Sequence, residues 1–119
     1  MRESDIQKQI MLACAPHALL WRANAGEFWQ GKRVWSREFD MPALINIRRI
    51  EGLPRGYSDL SGLRRSDGRA VFIECKAPGG RLGLEQAAFL EAVLKAGAAA
   101  GVARSPEEAI RIITGDGHV

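Results

Sequence analysis

The chain has 119 residues, 46% of them hydrophobic and 26% charged, with 17 Lys and Arg against 14 Asp and Glu. That is the size of one folded unit with one core, so residues 1–119 are expected to form a single domain. The composition excludes a disordered tail and a collagen-like fibre, and two cysteines exclude a disulfide framework.

No apolar stretch approaches the ~20 residues of a membrane helix. The charged start, Met1-Arg2-Glu3-Ser4-Asp5, lacks the apolar run of a secretory signal, so no membrane partner and a cytoplasmic location are expected. The net charge is +3, and 13 of the 17 basic residues are Arg, the side chain suited to bidentate phosphate contacts. Nine basic residues and five acidic ones fall between Arg22 and Arg65, which makes a polyanionic partner plausible beside the alternative of an ordinary solvated surface.

In chain order, residues 3–20 read as a first helix. Ile6, Ile10, Ala13 and Leu20 recur at helical spacing, and Pro16 marks a kink or a stop. Asn24 and Gly26 shape a turn. Residues 27–35 carry aromatics on either side of Gln30-Gly31-Lys32, which suggests a hairpin. A break at Asp40-Met41-Pro42 precedes a short strand over 44–50 and a loop over 51–56. Strands are expected over 59–64 and 70–76, joined by a two-residue Asp67-Gly68 turn. After Pro78-Gly79-Gly80 comes an amphipathic helix over 84–96, presenting Leu84, Ala87, Ala88, Leu90 and Leu94 to a sheet and stopping at Gly97. Residues 98–103 suit a buried strand. Ser105-Pro106-Glu107-Glu108 opens a last helix, with Ser as N-cap, that runs to about Thr114. Cys14 and His17 have ligand-like spacing but no second pair for zinc, so both cysteines read as small buried hydrophobes. The helix between strands 70–76 and 98–103 implies a right-handed parallel crossover, hence an α/β fold with a mixed sheet flanked by helices.

The sharpest feature is Val71-Phe72-Ile73-Glu74-Cys75-Lys76, an apolar strand ending in two charges at alternate positions. Period-two geometry points Glu74 and Lys76 to one face and Cys75 to the other. With a two-residue turn, Asp59 pairs with Lys76 and Ser61 with Glu74, and directly opposed residues share a face. Asp59, Glu74 and Lys76 then converge, and a one-residue slip would undo the cluster. Two carboxylates at an open position, with the backbone carbonyl of Cys75, suit Mg²⁺ or Mn²⁺. A metal and a lysine together suit phosphodiester hydrolysis, because the metal polarises the phosphate and the lysine handles a proton or developing charge. The alternative is an ion pair of Lys76 with Asp59 or Glu74 at a strand end.

Gly56-Tyr57-Ser58-Asp59, followed after 14 residues by Glu74-Cys75-Lys76, resembles the motif of the PD-(D/E)xK nuclease superfamily. Glu3-Ser4-Asp5-Ile6-Gln7, Arg22-Ala23-Asn24-Ala25-Gly26, Gly56-x-x-Asp59-Leu60, Phe72-Ile73-Glu74-x-Lys76 and Glu85-Gln86-x-x-Phe89-Leu90 are together similar to the virus-type replication-repair nuclease (VRR-NUC) domain over nearly the whole chain. The family often has Pro where this chain has Ser58. The resemblance implies a restriction-endonuclease-like αβββαβ core and a metal-dependent deoxyribonuclease leaving a 5′-phosphate and a 3′-hydroxyl. It implies Asp59 and Glu74 as metal ligands, Lys76 as the catalytic lysine, Glu3 reaching the metal or its waters, and Gln86 lining the site. Glu3 as a residue favouring a helix N-terminus, and Gln86 as a surface residue, are the plain alternatives.

Arg33, Arg37, Arg48, Arg49 and Arg55 are the candidates for DNA backbone contacts. Trp29 and Trp35 are expected in the core rather than on bases. Stand-alone bacterial and phage members resemble Holliday-junction resolvases acting as homodimers, and residues 27–45 are the candidate dimer surface. A flap- or nick-directed nuclease, a non-catalytic nucleic-acid-binding module and a small-molecule hydrolase are the competing readings. The intact Asp59/Glu74/Lys76 set argues against the module, and the arginine-rich span against the small-molecule hydrolase.

Overall fold

The computed structural model describes residues 1–23 and 28–115. The turn expected at Asn24 and Gly26, and the tail 116–119, lie outside them. The elements run α1 (Glu3–Cys14), β1 (Ala18–Arg22), β2 (Phe28–Ser36), β3 (Met41–Ile50), β4 (Leu60–Arg64), β5 (Ala70–Cys75), α2 (Leu84–Lys95), β6 (Ala99–Ala103) and α3 (Pro106–Thr114). No helix among the described residues is long and apolar enough to cross a membrane.

Four strands form a mixed sheet in the order β1-β4-β5-β6. β1, β4 and β5 are antiparallel neighbours, while β6 runs parallel to β5 after the α2 crossover. With β2 and β3 set aside, the order is the expected αβββαβ, and the fold is the α/β mixed sheet flanked by helices that the sequence implies.

α1 is shorter than its apolar pattern suggests. Ile6, Ile10 and Cys14 bury one face, but Pro16 has no amide to donate, so the hydrogen-bond ladder ends there although Ala15 still has helical backbone angles. The chain turns there, with His17 N–H on Cys14 O at 2.8 Å, and Leu20 belongs to β1. β1, β4 and β5 turn one face of the sheet toward α1 and α3. There Ala18, Leu60, Val71, Ile73 and Cys75 pack with Ile6, Ile10, Cys14, Ala109, Ile112 and Ile113, and the small side chains of Ala99 and Ala103 on β6 complete the layer. Both cysteines are free and buried, and burial pushes the Cys14 thiol up to about 11. α2 covers the opposite face. It does so with Gln86, Phe89, Leu90, Val93 and Leu94, while the expected contacts Leu84, Ala87 and Ala88 are exposed. Phe72, Phe89 and Tyr57 form an aromatic cluster there, with centroids 4.9–5.7 Å apart.

β2 is not a hairpin in itself. It is one arm of a hairpin whose other arm is β3 and whose turn lies at residues 37–40. Asn46, at φ 52°, adds one residue to β3 opposite Gly31 and shifts the register between Gln30 and Lys32. This pair forms its own two-stranded sheet, inserted between β1 and β4. Its side chains stay outside the core. Trp29 is 48% exposed and Trp35 61%, so the expectation that they are core aromatics is overturned. The arm itself spans Phe28–Ile50, 23 residues, too little chain for a second domain with its own core. The radius of gyration of 17.2 Å and a long axis of 54 Å against 30 and 28 Å record the projection. A chain this long packed into a single globule has a radius near ~13–14 Å.

Candidate functional site

The β4–β5 hairpin sets the site. Its loop spans four residues, 65–68, not the two expected: Arg64 N–H bonds Arg69 O, and Gly68 N–H bonds Arg64 O, both at 2.8 Å. Gly68 takes the left-handed conformation at φ 77°. Arg64 clamps Asp67 across the loop at 2.6 Å, which holds that carboxyl well below the usual range. The pairing is therefore Leu60 with Ile73 and Ser61 with Phe72, two residues away from the expected register. A two-residue slip preserves the face, because side chains alternate with period two. Asp59, Ser61, Glu74 and Lys76 remain on the same side, and the convergence survives a wrong turn length.

Glu74 is 1% exposed and Lys76 9%. Lys76 Nζ lies 3.9 Å from Glu74 Oε1, and Gln86 Nε2 donates to the same oxygen at 3.1 Å. Glu74 Oε2 is buried with no partner. Asp59 Oδ2 accepts the Cys75 N–H at 2.9 Å, and Asp59 O accepts the Ala23 N–H at 2.9 Å, which ties this residue to β5 and to the end of β1. Burial first, and then the adjacent carboxylate of Asp59, pushes Glu74 up to about 8, against the pull of Lys76; the charge of Glu3 adds to the rise. Glu3 is exposed in the first turn of α1. α1 is held to β1 by Arg22, which donates to Gln7 Oε1 at 2.9 Å.

Gln86 has two tasks. Its Oε1 accepts the N–H of Gly83 at 2.8 Å, capping α2, while its Nε2 holds Glu74. A cleft of about 570 Å³ opens beside Asp59, lined by Ala23, Gly56, Tyr57, Glu85 and Gln86 among others. Gly56, at φ 78°, fits only without a side chain: a Cβ there would stand 2.1 Å from Glu85 O. Tyr57 donates to Ser61 Oγ at 3.0 Å. Tyr57 and Glu85 are cleft residues the sequence reading missed. Their adjacency to Asp59 and Gln86 in the chain was the available signal.

Among the described residues, no three His, Cys, Asp or Glu side chains close on one point. Asp59 and Glu74 instead bring carboxylate oxygens to one face of the hairpin, one of them, Glu74 Oε2, buried without a hydrogen-bond donor. That donor set suits a hard cation that keeps several waters, and it does not suit zinc.

The VRR-NUC domain model matches residues 1–107. The chain belongs to the VRR-NUC family. It is a nuclease domain, and DNA is the substrate that such a domain implies. No curated protein matches the chain.

The arginines of this VRR-NUC domain divide into two groups. Arg64, Arg65, Arg69 and Arg104 donate to backbone carbonyls of Ile113, Ala15, Gly97 and Ala77 at 2.6–3.0 Å and hold the body together. Arg33, Arg48 and Arg49 lie on the strands of the arm and Arg37 at its turn, with Arg48 bonded to Gln30 across the strand pair. Arg55 lies at the cleft rim, 3.5 Å from Glu85.

Proposed function

We propose that this chain is a divalent-metal-dependent DNA endonuclease, selective for branched DNA and acting as a homodimer in the manner of a Holliday-junction resolvase. The observation that carries the reading is a buried carboxylate, Glu74, with one oxygen unpartnered, set between Lys76 and Gln86 and beside Asp59. A buried unpaired carboxylate is costly to fold around unless a cation satisfies it.

Asp59, Glu74 and the Cys75 carbonyl are the proposed holders of Mg²⁺ or Mn²⁺, with Glu3 acting through water from the start of α1. The ion supplies Lewis-acid polarisation of the scissile phosphate. The rest falls to the chain's own residues. Lys76, kept in the site by Glu74, presents an ammonium group to the phosphate oxygens and to the attacking water, where it stabilises charge and governs a proton. Gln86 orients Glu74. Arg33, Arg37, Arg48, Arg49 and Arg55 supply backbone contacts that set affinity without reading sequence.

One site per chain cuts one strand, so symmetric cleavage of a junction calls for two copies. Strand alternation puts Phe28, Val34, Ala43, Ile45 and Ile50 on one face of the arm, together with Gln30, Lys32 and Arg48. The aliphatic part of that face is the proposed dimer contact.

The test incubates the protein with a labelled four-way junction, a flap and a linear duplex, with Mg²⁺, Mn²⁺ or chelator. Metal-dependent cleavage of the junction, lost in Lys76→Ala with DNA binding kept, is the expected result. Absence of metal-dependent cleavage of every substrate overturns the reading, and unchanged activity in Asp59→Asn overturns the site assignment.

A further inference from the structure

The face of the β2–β3 arm opposite the proposed dimer contact carries both tryptophans of the arm. Alternation along β2 puts Trp29, Arg33 and Trp35 together. Their cross-strand partners, which share the face, are Arg49, Leu44 and Pro42. Trp29, Arg33, Trp35, Leu44 and Arg49 are all exposed. Neither strand of the arm contains an acidic residue: 28–36 and 41–50 carry Lys32, Arg33, Arg48 and Arg49 and no Asp or Glu. Two indole planes in a cationic, acid-free strip are poorly matched to water. They match a polyanion that exposes aromatic bases.

The arm is also rooted at the cleft. Ala23, just before it, and Gly56, just after it, both line the cleft beside Asp59. A DNA strand lying in that cleft therefore runs past the base of the arm.

We infer that Trp29 and Trp35 stack on bases exposed at a DNA branch point while Arg33 and Arg49 hold the flanking phosphates. The arm then recognises DNA structure separately from the carboxylates that cleave it. The inference rests on the proposal that this domain cuts branched DNA, and it assigns the residues that select the substrate. Trp29 and Trp35 are six positions apart on one strand, which places them about 20 Å from each other. They therefore meet separate exposed bases, not neighbours in one stack, and their contributions add independently.

The test measures binding of the full chain to a labelled four-way junction and to a labelled linear duplex by fluorescence anisotropy, in chelator so that nothing is cut. Sedimentation velocity of each variant follows the oligomeric state. Trp29→Ala and Trp35→Ala should each weaken junction binding roughly 5- to 150-fold, as expected for loss of one base–aromatic stack. The double variant should show the product of the two effects. Duplex binding should change little, and Trp29→Phe and Trp35→Phe should retain most of the affinity, which separates lost stacking from a misfolded arm. Equal losses on junction and duplex, or no loss on either, overturn the inference. So does loss of the dimer with junction affinity per protomer unchanged, which would assign this face to a second copy. The two readings fail separately. A wild-type protein that binds junctions through these tryptophans but cuts nothing refutes the nuclease proposal alone. One that cuts junctions equally well without them refutes this inference alone.

Discussion

The metal-free protein should lose stability as pH rises through neutrality, and Glu74→Gln should abolish that loss. Burial and the neighbouring Asp59 lift Glu74 from 4.5 to about 8. Between those values the folded chain keeps a proton that the unfolded chain has released. The stability contributed by the neutral carboxyl is therefore whole below pH 4.5 and is lost as pH climbs through 8. One proton at ~1.36 kcal/mol per pH unit amounts to about 2 kcal/mol between pH 6 and 8, or roughly 8 °C of Tm for a domain of this size. Thermal unfolding in chelator, across this range, on wild type and Glu74→Gln is the assay. The difference between the two cancels every other titrating group. Saturating Mn²⁺ should reverse the wild-type slope, because a cation demands both carboxylates deprotonated. If the metal-free wild type is as flat as Glu74→Gln, or gains stability with pH relative to it, Glu74 is ionised in the fold and the argument for a poised cation site fails.

Gly56→Ala forces a Cβ to 2.1 Å from Glu85 O at a positive φ, and should cost about 2 kcal/mol or more while displacing the start of α2; an unfolding free energy from urea titration lowered by less than a quarter of that would contradict the packing. Gln86→Ala removes both the cap on Gly83 and the donor to Glu74. It should cost about 1–2 kcal/mol and lower cleavage, and wild-type rates with wild-type Tm would show that Gln86 positions nothing.

Much of the site was legible because its signals are local. Glu74 and Lys76 alternate on one strand, so their common face follows from the pleat alone. Asp59 joined them despite a mistaken turn, because a four-residue loop in place of two displaces the strand by an even number and leaves the faces intact. Gln86 was placed at the site only through its resemblance to a family pattern. Its hydrogen bonds to Glu74 and Gly83 depend on how α2 crosses the sheet.

Other readings failed for physical reasons that sequence does not carry. Pro16 could kink or stop a helix, and only the strand partner offered by Arg64 and its neighbours made residues 18–22 a strand. Leu84 looked like a core residue by type but begins α2 on the solvent side, because Gln86 and Leu90 set the helix's rotation. The arginine count suggested a broad polyanion surface. Four of those side chains instead satisfy backbone carbonyls of the body.

The sequence by itself determined the helix–strand crossover that closes the chain, the buried strand and the face its two charges share. These follow from the alternation of one chain and need no distant partner. The tertiary structure decided that Glu74 is buried with an oxygen left over, that Gln86 reaches it, and that the tryptophans stand outside on an arm. Burial and partnership are relations between segments far apart in the chain, and no local pattern encodes them.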